Sequence, residues 1–90
     1  MFCLISYDII EDKNRDKVSD ILLNYGKRVQ YSVFECILTS DYLENLISKL
    51  ESIIDQGDSI RIYQICQGCM KNIKILGAGT ITQDQNVIIL

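Results

Sequence analysis

The sequence predicts an α+β domain of the ferredoxin-like βαββαβ type, with an antiparallel sheet, an additional C-terminal strand and a homodimer packed sheet to sheet. Strand-like and helix-like segments alternate in the order strand, helix, strand, strand, helix, strand. The chain has 90 residues, which is enough for one core. Two helices can cover only one face of such a sheet, so apolar residues on the other face require a second copy.

The first half of the predicted fold begins with a strand and a helix. Residues 2–9 are apolar on both faces until Asp8, which is typical of a central strand covered by helices on one side and by a partner on the other. A polar turn over residues 11–14 leads into a helix, for which Gly26 is the expected C-terminal cap. The apolar positions at helical spacing are Val18, Ile21, Leu22 and Tyr25.

Residues 27–39 are rich in β-branched and aromatic side chains, which favours strand. They form either one long bent strand or two short strands that reverse near residues 30–32, and we favour the two short strands. A second amphipathic helix follows, capped by Ser40 or Asp41. Its apolar stripe consists of Leu43, Leu46, Ile47, Leu50, Ile53 and Ile54.

The remaining strand candidates are residues 59–66, 73–76 and 86–90. With both helices on one sheet face, the other face is expected to expose Phe2, Leu4 and Ile62, or the residues that alternate with them. Burial of that face by a second copy predicts a homodimer.

Composition restricts the possible functions. No apolar run approaches the roughly 20 residues that cross a bilayer, so no membrane association is expected. The residues after Met1 lack the pattern of a secretory signal, and the expected compartment is the cytoplasm. The net charge of −3 argues against a generic nucleic-acid coat, so phosphate binding depends on local clusters of Lys and Arg. The chain has no histidine, and its chemistry therefore has to depend on carboxylates and a metal ion.

Asp8 is the best candidate for a functional residue. It ends an apolar strand, where a buried carboxylate is costly without a partner or a cation. It could instead cap the turn into the first helix, and the spacing does not separate these two interpretations. In a two-fold dimer the residue is present twice, and two carboxylates with waters and a phosphate oxygen suit Mg²⁺. Such an ion could polarise a phosphodiester and activate water.

Four basic residues flank this strand end in the sequence, namely Arg15, Lys17, Lys27 and Arg28. They could form a basic rim that binds the phosphates of a nucleic acid. Solvated surface charge is the alternative interpretation. We favour it for Lys17 and Lys27, while for Arg28 the two interpretations are balanced.

Two aromatic residues, Tyr7 and Phe34, lie close to these charges in the sequence. Aromatic rings can stack on the bases of single-stranded nucleic acid. Aromatic residues in strands are nevertheless usually part of the core, and we favour that interpretation for both.

The spacing of Cys66 and Cys69 matches half of a zinc knuckle. A structural zinc site needs four ligands, and Cys3 and Cys36 would have to complete it from within predicted strands. We therefore expect four free thiols, buried or in a loop. A thioredoxin-type redox role is no better supported than the zinc site.

An ordered set of residues resembles one known family. The set consists of Tyr7-Asp8-Ile9, Arg15, Tyr25-Gly26, the segment 28–35, the segment 58–63 and the Cys66-x-x-Cys69 turn. In this order, over residues 1–77, it resembles the CRISPR-associated protein two family.

The resemblance implies a homodimer that holds Mg²⁺, or another divalent cation, with the two Asp8 side chains across its axis. It implies a ferredoxin-like domain over residues 1–77 and an extension over residues 78–90 whose strand packs on the partner protomer. Carried over residue by residue, Asp8 is the metal ligand, and the matches to positions linked with nuclease activity are Tyr7, Arg15, Arg28 and Phe34.

The function implied by the resemblance is that of a metal-dependent endoribonuclease or nuclease in CRISPR spacer acquisition. Its substrate would be single-stranded RNA or double-stranded DNA, and its partner the integrase of the Cas one family. A non-catalytic dimeric scaffold that holds spacer-precursor DNA in the integrase complex is an alternative. A ferredoxin-like regulatory module that binds a small ligand at its dimer interface is another, and it predicts no affinity for nucleic acid.

Overall fold

A computed structural model describes residues 1–83. The strands are β1 (Phe2–Asp8), β2 (Gly26–Gln30), β3 (Val33–Ile37) and β4 (Ser59–Ile65), and the helices are α1 (Asp12–Leu23), α2 (Ser40–Glu51) and α3 (Gln67–Met70). The strands form one antiparallel sheet in the order β2-β3-β1-β4. The predicted α+β class and the two short strands within residues 27–39 are therefore confirmed.

The side chains of the central strand β1 show which face of the sheet is buried and which is open. It pairs with β3 on one edge and with β4 on the other, and its successive side chains point alternately to the two faces of the sheet. Cys3, Ile5 and Tyr7 are buried against the helices. Leu4 and Asp8 point to the opposite face, where Leu4 is partly exposed and Asp8 is exposed.

The core lies between the sheet and helices α1 and α2. The apolar stripes predicted for the two helices face this layer. Their removal from water stabilises it. Its helical members are Val18, Leu22, Leu43, Leu46 and Leu50. Ile62 also packs against this core, because the register of β4 sets it beside Ile5. Its expected place on the uncovered face is therefore wrong, and its neighbours Arg61 and Tyr63 occupy that face instead.

We call the sheet face turned away from α1 and α2 the open face. From the strand registers it carries Phe2, Leu4, Ser6, Asp8, Val33, Glu35, Ile37, Arg61, Tyr63 and Ile65. The sequence predicts that Phe2 is exposed there, but its exposed fraction is only 3%. Residues 81–83 line a cavity together with Phe2, and the Thr82 hydroxyl donates a 2.6 Å hydrogen bond to Glu35 Oε1. The segment after α3 therefore covers one end of the open face.

Three local expectations at helix ends are corrected by the structure. Residues 12–14 are not a turn but the first turn of α1, because the amide of Arg15 already donates to the carbonyl of Glu11 at 2.9 Å. The N-cap of α2 is Thr39, whose hydroxyl accepts the amide N–H of Tyr42 at 3.3 Å. The C-cap of α1 is Asn24, and Gly26 begins β2.

The chain after β4 departs furthest from the prediction. The short helix α3 follows directly, and residues 73–76 are not a strand within the described part of the chain. The predicted strand over residues 86–90, and with it most of the extension expected over residues 78–90, lies outside the described residues. Over residues 1–83, no helix has the length and hydropathy needed to cross a membrane.

Candidate metal and nucleic-acid site

Asp8 lies at the end of β1, exposed on the open face, opposite Ser59 of β4. Within residues 1–83 its carboxylate has no hydrogen bond or ion pair. It does not cap α1, because the N-cap of that helix is Glu11. Of the two interpretations left open by the sequence, the capping role is therefore excluded, and Asp8 is an available oxygen ligand.

The loop that follows Asp8 is held in place by Asp58. Asp58 Oδ1 accepts the amide N–H of Ile10 at 2.9 Å, and Oδ2 accepts the amide N–H of Asp55 at 2.9 Å. These two hydrogen bonds lower the pKa of Asp58, because they stabilise its ionised form. Gly57 has a φ of 91°, and a Cβ there would lie 2.8 Å from Ile10 Cδ1. The tight turn before β4 therefore holds the backbone that follows β1 in place.

Arg15 braces the same loop from the other side. Its Nε and Nη2 donate to the carbonyl oxygen of Ile9 at 3.2 and 2.9 Å, and Nη2 also reaches the carbonyl of Ile10 at 3.2 Å. Its Nη1 forms a 2.6 Å ion pair with Asp12, and the hydrogen bond to Asp12 is the main cause of the raised pKa of Arg15. The structure thus assigns the Arg15 guanidinium several partners within its own chain.

Arg28, Phe34 and Tyr7 form a stack on the helix side of the sheet. The Arg28 guanidinium lies 5.2 Å from the Phe34 ring centroid and donates to the Ser19 hydroxyl. The rings of Tyr7 and Phe34 are 6.2 Å apart, and the Tyr7 hydroxyl donates to the carbonyl of Tyr31 at 3.4 Å. Phe34 is 0% and Tyr7 5% exposed, so the core interpretation of both aromatic residues is confirmed.

The two lysines do not join Asp8 in this chain. Lys17 is exposed on α1. Lys27 pairs with Glu35, which pairs with Leu4, four residues before Asp8 and therefore about 13 Å away along the strand. Lys27 and its neighbour Arg28 also point to opposite faces of the sheet. Within one chain, the four basic residues therefore do not form the single rim that the sequence suggested.

One cation that the sequence reasoning passed over does share the face of Asp8. Arg61 is exposed on β4 opposite Ser6, two positions before Asp8 on the neighbouring strand. The signal that could have identified it is the alternation along β4, where Ile60 and Ile62 turn to the core. Arg61 is therefore a candidate for binding a phosphate next to Asp8.

One chain supplies a suitable type of ligand for a divalent metal ion, but too few ligands to hold it. A free carboxylate is the ligand that Mg²⁺ prefers. Within the described residues, however, no group of three or more His, Cys, Asp or Glu side chains could hold a metal ion. One chain thus offers Asp8 alone, and a magnesium site fits these residues only where a second copy supplies another carboxylate.

The cysteines do not form the zinc site considered from the sequence. Cys3 and Cys36 lie opposite each other on β1 and β3 and are fully buried, whereas Cys66 and Cys69 are exposed at α3. All four are free thiols, as expected. Four ligands that lie in two separate places cannot bind one tetrahedral ion.

A sequence comparison identifies the family to which this fold belongs. The family model for CRISPR associated protein Cas2 matches residues 1–73. The chain belongs to the Cas2 family. This confirms the resemblance found in the sequence, which rested on the Tyr7-Asp8-Ile9 motif and the ordered segments that follow it.

Relatives within the Cas2 family match most of the chain. The CRISPR-associated endoribonuclease Cas2 3 of Chloroflexus aurantiacus is 47% identical, over 93% of this chain and 91% of the relative. The CRISPR-associated endonuclease Cas2 2 of Thermus thermophilus is 37% identical, over 96% of this chain and 92% of the relative.

Solved structures of the Cas2 family share the fold. Streptococcus pyogenes Cas2, crystallised at pH 6.5, superposes with a TM-score of 0.74 and 34% identity, covering 86% of this chain and all of that one. A chain of a partial Cas6-RT-Cas1–Cas2 complex superposes with a TM-score of 0.77 and 34% identity, covering 91% of this chain and 97% of that one.

Proposed function

We propose that this member of the Cas2 family is a Mg²⁺-dependent endonuclease of the endoribonuclease type that acts as a homodimer, in the cytoplasm, in CRISPR spacer acquisition. The observation that carries the proposal is the exposed Asp8 carboxylate, which ends the central strand on the face that the helices leave open. The names of the relatives, endoribonuclease and endonuclease, support phosphodiester cleavage as the reaction. The solved Cas1–Cas2 assembly supports an integrase of the Cas1 family as the partner.

The homodimer is supported by the composition of the open face. Leu4, Val33, Ile37 and Ile65 are only partly buried there, and Tyr63 is exposed. A second copy that covers this face would bury them and remove apolar area from water. In a two-fold dimer both copies use the same face. Since Asp8 lies on that face, the same operation supplies the second carboxylate that a single chain lacks.

The residues around Asp8 divide into ligands and supports. Asp8 supplies the oxygen atoms that would hold Mg²⁺, and the ion, when bound, supplies charge neutralisation at a phosphodiester and activation of water. Asp58 and Arg15 hold the loop after Asp8, which keeps the direction of its carboxylate. Arg61 offers a positive charge on the same face for a phosphate of the nucleic acid.

A second function, that of a non-catalytic scaffold for spacer-precursor DNA, is favoured by one observation. Arg15 and Arg28, which would have bound phosphate during cleavage, both have partners inside the chain. In this alternative the dimer holds DNA together with the integrase, and Asp8 contributes to geometry. The spacer-precursor DNA is then bound but not cut.

Substitution of Asp8 tests the proposal. Asp8→Asn and Asp8→Ala are compared with wild type for Mg²⁺-dependent cleavage of end-labelled single-stranded RNA and double-stranded DNA, over a series of pH values. We expect cleavage to fall by at least about 100-fold. Asp16→Asn is the matched control, because it removes an exposed carboxylate from α1. Undiminished cleavage by the Asp8 variants contradicts the proposal.

Integration assays with the partner separate the two functions. If wild type integrates spacers with its integrase but cuts no nucleic acid with Mg²⁺ or Mn²⁺, the scaffold function is correct. If Asp8→Asn integrates normally and has lost cleavage, the nuclease is real and is dispensable for integration. Size measurement by light scattering tests the dimer, and a monomer at micromolar concentration contradicts both functions.

A further inference from the structure

The turn that carries Cys66 and Cys69 brings two exposed thiols together. Cys66 immediately precedes α3 and Cys69 lies within it. The amide nitrogen of Cys69 lies 3.0 Å from the carbonyl oxygen of Cys66 and 3.3 Å from Cys66 Sγ. Residues three apart on a helical turn have Cα atoms about 5 Å apart, and disulfides need about 4.4–6.8 Å. The spacing of the two residues is therefore compatible with a bond between their sulfur atoms.

The two thiols of this pair differ in acidity. Hydrogen bonds from the thiol and the amide of Cys69 lower the pKa of Cys66, because they stabilise a negative charge on its sulfur. The same contact raises the pKa of Cys69, which donates the proton. Since a thiolate is the reactive form, Cys66 has the character of an attacking cysteine and Cys69 that of a resolving cysteine.

The other two cysteines have the opposite character. Cys3 and Cys36 are fully buried. Burial raises the pKa of Cys3, and burial together with the neighbouring Cys3 and Glu35 raises the pKa of Cys36 to about 11. The chain thus contains one accessible pair and one protected pair, and the protected pair is an internal reference for reactivity.

We propose that Cys66 and Cys69 form a reversible dithiol–disulfide site, whose oxidant is a low-molecular-weight disulfide. The Cys66 thiolate attacks one sulfur of the small disulfide, and the first small thiol leaves. Cys69, on losing its proton, attacks the Cys66 sulfur of this mixed disulfide and releases the second small thiol. In sum, two protein thiols are oxidised to one disulfide, and one small disulfide is reduced to two thiols.

The site is placed where it can affect the open face. Cys66 lines a cavity together with Phe2, Ile65 and Ile81. The chain that leaves α3 crosses this region and reaches Glu35 through Thr82. A disulfide within the turn would restrict the starting direction of that segment. The inference does not depend on the nuclease proposal, since neither Asp8 nor Arg61 takes part.

The test uses the full chain in glutathione buffers of increasing oxidised fraction, followed by alkylation and trypsin digestion. Cleavage after Arg61 and Lys71 releases residues 62–71, a peptide with both Cys66 and Cys69. In the oxidised buffer we expect this peptide to escape alkylation and to have a mass two hydrogen atoms below that of the unmodified peptide. Treatment of the protein with dithiothreitol before alkylation should restore two alkylated cysteines. On brief alkylation of the reduced protein, we expect Cys66 to react at least about tenfold faster than Cys3 or Cys36.

Serine variants separate attack from resolution. Cys66→Ser keeps an oxygen acceptor for the amide of Cys69, so the turn is retained. We expect Cys69→Ser to accumulate a mixed disulfide of Cys66 with glutathione, and Cys66→Ser to form much less. The proposal is overturned if the wild-type peptide stays reduced in oxidised glutathione, if Cys66 reacts no faster than the buried thiols, or if the oxidised product links two chains.

Discussion

The carboxylate of Asp58 holds the backbone of Ile10, 48 positions away in the sequence, through a 2.9 Å hydrogen bond from the amide nitrogen to Oδ1. Its second oxygen accepts the amide of Asp55 at 2.9 Å. One side chain thus joins the loop after β1 to the turn before β4. Asp8 lies immediately before the first of these loops and pairs with Ser59 immediately after the second. The position of the candidate ligand therefore depends on a residue that does not touch it.

Asp58→Asn is expected to destabilise the domain, because an amide has one acceptor oxygen for the two backbone amides that Asp58 now satisfies. We expect the melting temperature to fall by roughly 4–8 °C, a typical shift for a modest loss in a domain of this size. Differential scanning calorimetry measures it, with Asp16→Asn on α1 as the control. An unchanged melting temperature would show that the two hydrogen bonds contribute nothing to stability.

The difference in stability between wild type and Asp58→Asn should depend on pH. Because its hydrogen bonds lower the pKa of Asp58 in the folded state, its contribution to stability is present above the unfolded pKa of about 3.9 and is lost as the pH falls through the lower folded value. The difference in melting temperature between wild type and Asp58→Asn should therefore be constant near neutral pH and shrink below about pH 4. A difference that grows on acidification would mean that the two backbone hydrogen bonds do not cause the lowered pKa of Asp58.

Phe34→Ala is expected to act through the core and not through contact with a base. Phe34 is fully buried between Tyr7 and Arg28, and truncation of a buried Phe costs about 3–5 kcal/mol of unfolding free energy. Urea denaturation measures the loss. Tyr42→Ala is the matched aromatic control, since Tyr42 is 59% exposed and its removal should leave stability nearly unchanged. A stable Phe34 variant with weakened binding of single-stranded RNA would restore the base-stacking interpretation.

Gly26→Ala is expected to destabilise the sheet edge. A Cβ at Gly26 would lie 2.4 Å from both Cys36 Sγ and the backbone oxygen of Glu35. The backbone atom cannot move freely, so we expect a loss of about 1–3 kcal/mol. Gly68→Ala is the control, because no atom lies within 4 Å of its added methyl group. Equal stability of the two variants in urea would show that β2 adjusts freely at this point.

Arg15 and Arg61 are expected to respond differently to substitution. Arg15→Gln should lower the melting temperature and leave the salt dependence of DNA binding unchanged, because its guanidinium binds carbonyls and Asp12. Arg61→Gln should leave stability unchanged and lower the slope of log affinity against log salt by about 1 for each phosphate that the variant no longer binds. Fluorescence anisotropy at several salt concentrations measures the slope. A reduced slope for Arg15→Gln and an unchanged slope for Arg61→Gln would reverse these assignments.

The sequence alone was sufficient for the order of the elements as far as β4 and for the helical part of the core. Apolar spacing along α1 and α2 depends on residues that are close in sequence, so this pattern predicted Val18, Leu22, Leu46 and Leu50 as core positions. The end of a strand is also a local feature. Asp8 could therefore be chosen as the candidate ligand before its surroundings were known.

The tertiary structure decided what each residue contacts. Alternation puts Arg61 and Ile62 on opposite faces of β4, but strand register, a relationship between distant segments, decides that Arg61 shares the face of Asp8 and Ile62 that of the core. The role of Arg15 as a brace depends on carbonyls that its sequence neighbours expose only after folding. The need for Gly26 comes from the close approach of β3. The register of β4 and the approach of β3 to Gly26 are not contained in local sequence patterns, because pairing between distant strands creates them.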